Sequence, residues 1–387
     1  MPAVTASTAE LPDWLKDAEG ALEASLQSDE ETQPVGQGAR TAHLIEQVGG
    51  KWRLVDEGVA LLRTVPPPLC VIACAGMYRT GKSYFLNSLS GVAGNATSSA
   101  GSFAVGSTSE SCTRGIDVCI PDPAVAGVPA SGGTLVLLDT EGLAALDQDE
   151  TYDAQIFSLA LLLSSYFVLN SVGVIDEAAV DRLFLVVELS KHICVQANGA
   201  AGAAAAARDA ELSQFFPPLL WLLRDFVVDL EADGVPIDEA EYMERALTGR
   251  AAGGRRASES NARRAAERNE VRNAIRSLFP RRTCRTMVRP VVSEEDLKHA
   301  MTLSHSQLRP EFVTKLAQLK GEVLRAAPPK ALFGAHLDGS ALVALASQYL
   351  DAMNEPDAIP TIRTPHSNRP CPTRTVPHSD PAHYDLV

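Results

Sequence analysis

Apolar residues gather along this chain in short blocks separated by polar and Gly-rich breaks. Leu69–Ala75, Ile116–Ile120, Leu135–Leu138, Tyr166–Val172 and Leu219–Leu223 read as buried strands, with helical stretches between several of them. That alternation predicts an α/β fold with a mainly parallel sheet covered by helices on both faces. Over Arg309–Ala326 and Ser340–Met353 the apolar residues recur at helical spacing, which adds short C-terminal helices. The uncharged run Ala154–Ile175 has the roughly twenty-residue length of a membrane span. Ser158, Ser164, Ser165, Asn170 and Ser171 interrupt it, and its β-branched and aromatic residues gather mainly in the second half. It therefore reads as a buried helix followed by a buried strand.

The same pattern divides the chain. Residues 1–40 are acidic, rich in Ala, Ser and Thr, and lack a sustained apolar period, so they are expected to be disordered, with order beginning near Ala42. A main domain is expected over 41–328, a helical linker over 329–363, and a disordered tail over 364–387. Gln196–Arg208 is a low-complexity insertion and Gly249–Arg256 another flexible candidate. No repeat of fixed spacing is present.

With 387 residues, 45% of them hydrophobic, the chain can bury one large core. A formal charge of -14 excludes broad nucleic-acid binding, which needs excess Lys and Arg. The pairs Arg255-Arg256, Arg263-Arg264 and Arg281-Arg282 leave peripheral membrane or partner contact open, beside the plainer reading of a solvated helix face. The seven cysteines show no C-x₂-C spacing and several sit in apolar runs, as small hydrophobes in a reducing compartment do. The first residues form no apolar signal core, and Tyr384 stands where a prenylated Cys would be, so a cytoplasmic chain without a lipid anchor or transmembrane segment is expected.

Chemistry enters at Gly76-Met77-Tyr78-Arg79-Thr80-Gly81-Lys82-Ser83, which fits G-x-x-x-x-G-K-[ST] between a buried strand and a helix start. The glycines let backbone N–H groups point at phosphate oxygens, Lys82 brings a cation to the β and γ groups, and Ser83 offers a hydroxyl to Mg²⁺. A nucleoside triphosphate is implied, with kinase, ATPase and GTPase all open at this point. Three later groups narrow the choice. In the polar loop Gly106–Gly115 a threonine hydroxyl can reach the metal. The strand Leu135–Leu138 ends in Asp139-Thr140-Glu141-Gly142, where a carboxylate holds metal and the Gly142 N–H meets the γ-phosphate. Arg224-Asp225 ends another apolar run, and one carboxylate can accept both guanine donors, although Arg-Asp is also an ordinary ion pair.

Together GMYRTGKSYFLNSLSG (76–91), VGSTSESCTRGI (105–116), LVLLDTEGL (135–143), FFPPLLWLLRDFVVDLEADG (215–234) and FPRRTCRTMVRPV (279–291) resemble the guanylate-binding protein branch of the dynamin-related large GTPases. The resemblance implies that 41–328 is a large GTPase domain of P-loop type. Its nucleotide is held by Gly76, Tyr78, Arg79, Thr80, Gly81, Lys82, Ser83 and Gly142, and its base is read by Arg224 and Asp225. Mg²⁺ would be bound by Ser83, Thr113 and Asp139. Glu141 with Ser111 would organise the attacking water, and Arg79 would act as an internal finger when two GTP-loaded domains form a homodimer. A nucleotide-gated interaction scaffold with little hydrolysis uses the same pocket and is the alternative. Two positions depart from the family pattern: Leu222 where Thr is usual, near the expected base pocket, and Cys112 where many members have His.

Overall fold

A computed structural model describes residues 38–91, 101–104, 115–142, 150–197, 212–248, 259–298, 300, 303–332 and 334–355. The expectations for residues 1–37, for Gly249–Arg256, for the tail and for most of the Gln196–Arg208 insertion lie outside the described residues. One sheet contains β1 (Arg40–Val48), β2 (Lys51–Leu54), β3 (Leu69–Gly76), β4 (Ile116–Ile120), β5 (Thr134–Thr140), β6 (Tyr166–Val172), β7 (Leu219–Arg224) and β10 (Arg282–Thr286). Two small hairpins pair β8 (Glu231–Ala232) with β9 (Val235–Pro236) and β11 (Ala331–Leu332) with β12 (Ala335–His336). The order across the sheet is β10-β7-β6-β3-β5-β4-β1-β2. From β10 to β5 the neighbours are parallel, and β5–β4, β4–β1 and β1–β2 are antiparallel.

The described helices are α1 (Asp56–Leu62), α2 (Lys82–Leu89), α3 (Pro123–Ala126), α4 (Glu150–Leu163), α5 (Glu177–Ala197), α6 (Glu239–Leu247), α7 (Glu259–Leu278), α8 (Glu294–Lys298), α9 (Pro310–Ala326) and α10 (Gly339–Asn354). They cover both faces because both faces of the central strands are apolar. Val71, Ala73 and Ala75 of β3 join a core with residues of α4, α5, α7 and α10, whereas Ile72 and Cys74 join one with residues of α2 and α9. The pleat sends alternate side chains to opposite sides, so a continuous apolar run feeds both layers. The run 154–175 resolves as expected into the end of α4 and then β6. Among the described residues no helix is long and apolar enough to cross a membrane.

Three strands of the main sheet were not assigned from the pattern, nor were the two short hairpins. β1 and β2 form a hairpin around Gly49 and Gly50, whose φ values of 59° and 80° suit a two-residue turn. Only Ala42, Leu44, Ile45 and Trp52 of this outer pair are buried, so charged residues break the apolar signal. In β10 only Cys284 and Thr286 are buried, too short an alternation to register.

The last helices are bound into this body. Lys330 is buried, its N–H donates to Leu69 O at 2.7 Å, and its Nζ donates to Leu162 O at 2.6 Å and Ser164 O at 2.8 Å at the end of α4. A cation at a helix C-terminus satisfies orphan carbonyls and complements the dipole. Burial nevertheless pushes its ammonium down to about 8. Lys330→Met, which keeps the stem but leaves both carbonyls without that donor, is expected to lower unfolding stability by about 3 kcal/mol in urea titrations. An unchanged midpoint would show that these bonds contribute nothing net.

Candidate functional site

The parallel strands β5, β3, β6 and β7 end on one edge of the sheet. From β3 the chain goes first to strands on one side and later to β6 on the other, so β3 is the switch point outside which open α/β sheets bind ligands. The register sets Gly76 beside Asn170 and Cys74 beside Asp139.

At Gly76 a Cβ would stand 1.9 Å from the Asn170 carbonyl oxygen, which no other residue tolerates. A Cβ on Gly142 would lie 2.2 Å from Tyr78 Cα, so the chain after β5 packs directly on the loop after β3. Within that loop Thr80 Oγ1 donates to Met77 O at 2.7 Å. Asn170 Nδ2 donates to Thr80 O at 3.0 Å and to Thr80 Oγ1 at 2.6 Å. The loop is thus pinned to β6. Arg79 is exposed at its apex with φ 59°, a conformation costly for a residue with a Cβ and concentrated at functional sites.

Gly81 leads into α2, whose first residues are Lys82 and Ser83. Lys82 is only 6% exposed and donates from Nζ to Met77 O at 3.2 Å. Burial pushes its ammonium below the ordinary value, opposed chiefly by Asp139 and also by Cys74, Glu141 and Asp153. An incoming polyanion adds the opposite charge this buried cation calls for. Ser83 Oγ donates to Asp139 Oδ2 at 2.6 Å, and Asp139 is fully buried. A hydroxyl and a carboxylate oxygen so placed are the hard donors that Mg²⁺ takes from protein, in company with phosphate oxygens. The donor set fits that ion.

Glu141 is held by Gly115. Its N–H donates to Gly115 O at 2.9 Å, and its Oε2 accepts from Gly115 N at 3.2 Å and from the Tyr152 hydroxyl at 2.7 Å. Ser111, Cys112 and Thr113 lie outside the described residues.

At the end of β7 the two neighbours part. Arg224 is 5% exposed, its guanidinium carbon 5.6 Å from the centre of the Phe312 ring on α9, and its Nη2 3.3 Å from where a Gly81 Cβ would be. Burial pushes its pKa down, with Asp225 the main opposing charge. Asp225, at φ 54°, lines a cavity of about 450 Å³ with Phe226, Val227, Val288, Arg289 and Arg309. The apolar Phe226, Val227 and Val288 beside the Asp225 carboxylate suit a flat heterocycle with donors on one edge, with Arg289 and Arg309 completing the lining. Arg289 Nε lies 3.8 Å from Asp225 Oδ2, while its Nη1 donates to Glu294 at 2.6 Å. Arg224 therefore sits beneath the phosphate loop and Asp225 in the cavity. Leu222, expected near the base pocket, is fully buried in the core that includes Phe312, against which the cavity residue Val288 packs.

Sequence reading did not find Asn170, Tyr152, Arg289 or Arg309. Asn170 carried a signal, a lone amide at the end of an apolar strand, but the other three owe their place to folding alone.

Comparison with known proteins adds an independent finding. A family model described as "Guanylate-binding protein, N-terminal domain" matches residues 50–331. The chain is 35% identical over 317 residues to guanylate-binding protein 2 of Homo sapiens, covering 81% of this chain and 50% of that protein. It is 36% identical over 314 residues to guanylate-binding protein 2 of Mus musculus (80% and 49%) and 35% over 310 residues to guanylate-binding protein 5 of Mus musculus (79% and 49%). The chain spans about half the length of the curated relatives it matches.

Proposed function

The chain belongs to the guanylate-binding protein family, and from that premise we propose that it binds GTP with Mg²⁺ and hydrolyses the γ-phosphate. The observation that carries this reading is the dehydrated Lys82 ammonium at the start of α2, next to the Ser83–Asp139 pair. Backbone N–H groups of Gly76, Tyr78, Arg79, Thr80 and Gly81 wrap the phosphates at a helix N-terminus, and Lys82 meets the β and γ oxygens. Ser83 and Asp139, with Thr113, would hold Mg²⁺. When bound, that ion adds positive charge where the β- and γ-oxygens gather negative charge.

Asp225 accepts from guanine N1–H and the exocyclic amine inside the cavity, and Arg224 steadies the strand end and loop behind it. Gly142 offers its N–H to the γ-phosphate. Glu141, with Ser111, orients a water whose oxygen bonds to the γ-phosphorus as the bond to the β,γ-bridging oxygen breaks. Arg79 meets the charge on the transferring group when two nucleotide-loaded copies dimerise. Support for a self-facing surface comes from the exposed Val172 at the end of β6 and from Val227, Val228 and Val292, which follow β7 and β10. Val227 is 90% and Val292 82% exposed. Buried free Cys70, Cys74, Cys119, Cys194 and Cys284 favour a reducing, cytoplasmic setting.

Phosphate release by purified protein with GTP and with ATP, at several protein concentrations, tests the reading. Release from GTP alone, with specific activity rising with concentration, is expected. Equal release from ATP would overturn the base assignment, and binding without turnover would leave the nucleotide-gated scaffold.

A further inference from the structure

The carboxylate assigned to the attacking water is connected to the far end of the last described helix. Near the start of α4 the Tyr152 hydroxyl donates to Glu141 Oε2 at 2.7 Å. Burial and the neighbouring Glu141 push the phenol pKa up, so its proton stays in place and Tyr152 acts as a donor. The Tyr152 ring stacks on Trp52 of β2, with centroids 5.1 Å apart and planes inclined by 24°. Trp52 is itself immobilised: it is 3% exposed, and its indole N–H donates to Gln155 Oε1, on the next turn of α4, at 2.9 Å.

A second clasp holds the backbone of the same tryptophan. Trp52 N–H donates to Asn354 Oδ1 at 2.8 Å, and Asn354 Nδ2 donates to Trp52 O at 2.8 Å. The edge strand β2 presents an N–H and a C=O on its outer side, and a primary amide supplies the complementary acceptor and donor in one plane. Asn354 is the last residue of α10, whose Leu342, Val343, Ala346, Tyr349, Leu350 and Met353 are buried in the main core. Contact therefore runs unbroken from Glu141 through Tyr152 and Trp52 to the point where the chain leaves the described body.

We propose that Tyr152 is a positioning residue for Glu141, and that the Trp52–Asn354 clasp makes its placement depend on how α10 docks. This rests on the role given to Glu141 in GTP hydrolysis. The Tyr152 hydroxyl, together with the Gly115 N–H, fixes which way the carboxylate faces, while the stacked rings transmit any shift of β2 to that hydroxyl. Whatever loads or displaces the end of α10 changes turnover without touching the nucleotide.

Two substitutions in the full chain test it. Tyr152→Phe keeps the ring on Trp52 and removes the hydroxyl that donates to Glu141, so kcat for GTP should fall about tenfold or more while GTP affinity stays within about twofold. Asn354→Ala should lower kcat in the same way, and the double variant should be no slower than Tyr152→Phe alone, since both act through one hydroxyl. A merely structural role moves the unfolding midpoint but does not separate kcat from affinity. Amide exchange of Gly115 and Glu141, followed without nucleotide, should quicken in both variants. A Tyr152→Phe protein with parental kcat, or an Asn354→Ala protein with parental exchange at these amides, overturns the proposal. If the parent itself releases no phosphate, the hydrolysis reading fails instead, and the exchange experiment still decides the linkage.

Discussion

Arg79→Ala is expected to keep GTP affinity and to lose turnover by about a thousandfold or more, the lower range of what an arginine finger contributes. Arg79 stands exposed at the apex of the phosphate loop with φ 59°, so truncation removes no core packing. The alanine inherits the same strained backbone, which keeps folding effects small. Arg79→Lys sharpens the test, because lysine retains the charge but not the planar fork that matches phosphate oxygens, and most of the loss should persist. Single-turnover phosphate release beside equilibrium binding of a fluorescent guanine nucleotide separates the two quantities. A variant as fast as the parent removes Arg79 from the reaction.

Asp225→Asn should cost guanine nucleotides about a hundredfold in affinity, since one ionised acceptor of two donors becomes a neutral amide that presents a donor of its own. The exchange is isosteric, and asparagine accepts the φ of 54° at least as well as aspartate. Loss of affinity then reports hydrogen bonding and not misfolding. ATP binding should hardly change, and a triphosphate of xanthine, with a carbonyl in place of the exocyclic amine, should gain. Competition titrations with the three nucleotides measure this, and an unaltered preference for GTP over ATP defeats the assignment of Asp225.

Legibility differed from element to element for physical reasons. The central strands announced themselves because strands buried on both faces must be apolar throughout, as β3 is from Leu69 to Ala75. The outer strands β1, β2 and β10 bury only a few side chains each, and their charged positions erased the alternation. Helix α9 was readable from its buried Phe312, Leu316, Leu319 and Val323, spaced along one helical face. In the site, the phosphate loop was legible as a string because its geometry is local: two glycines, a lysine and a hydroxyl within one turn. The cavity beside Asp225 was not, since Val288, Arg289 and Arg309 reach it from separate stretches of chain.

By itself the sequence determined the phosphate loop, the strand-borne Asp139, the core strands and the helices that cover them, because each depends on spacing within a few residues. Only the tertiary structure decided that Arg224 turns under the loop while Asp225 faces the cavity, that Asn170 pins Thr80, and that Glu141 is joined through Tyr152 and Trp52 to Asn354. Those contacts join residues as far as 302 positions apart. Short-range propensity carries no information about such pairs, because strand order and helix docking create them when the core closes.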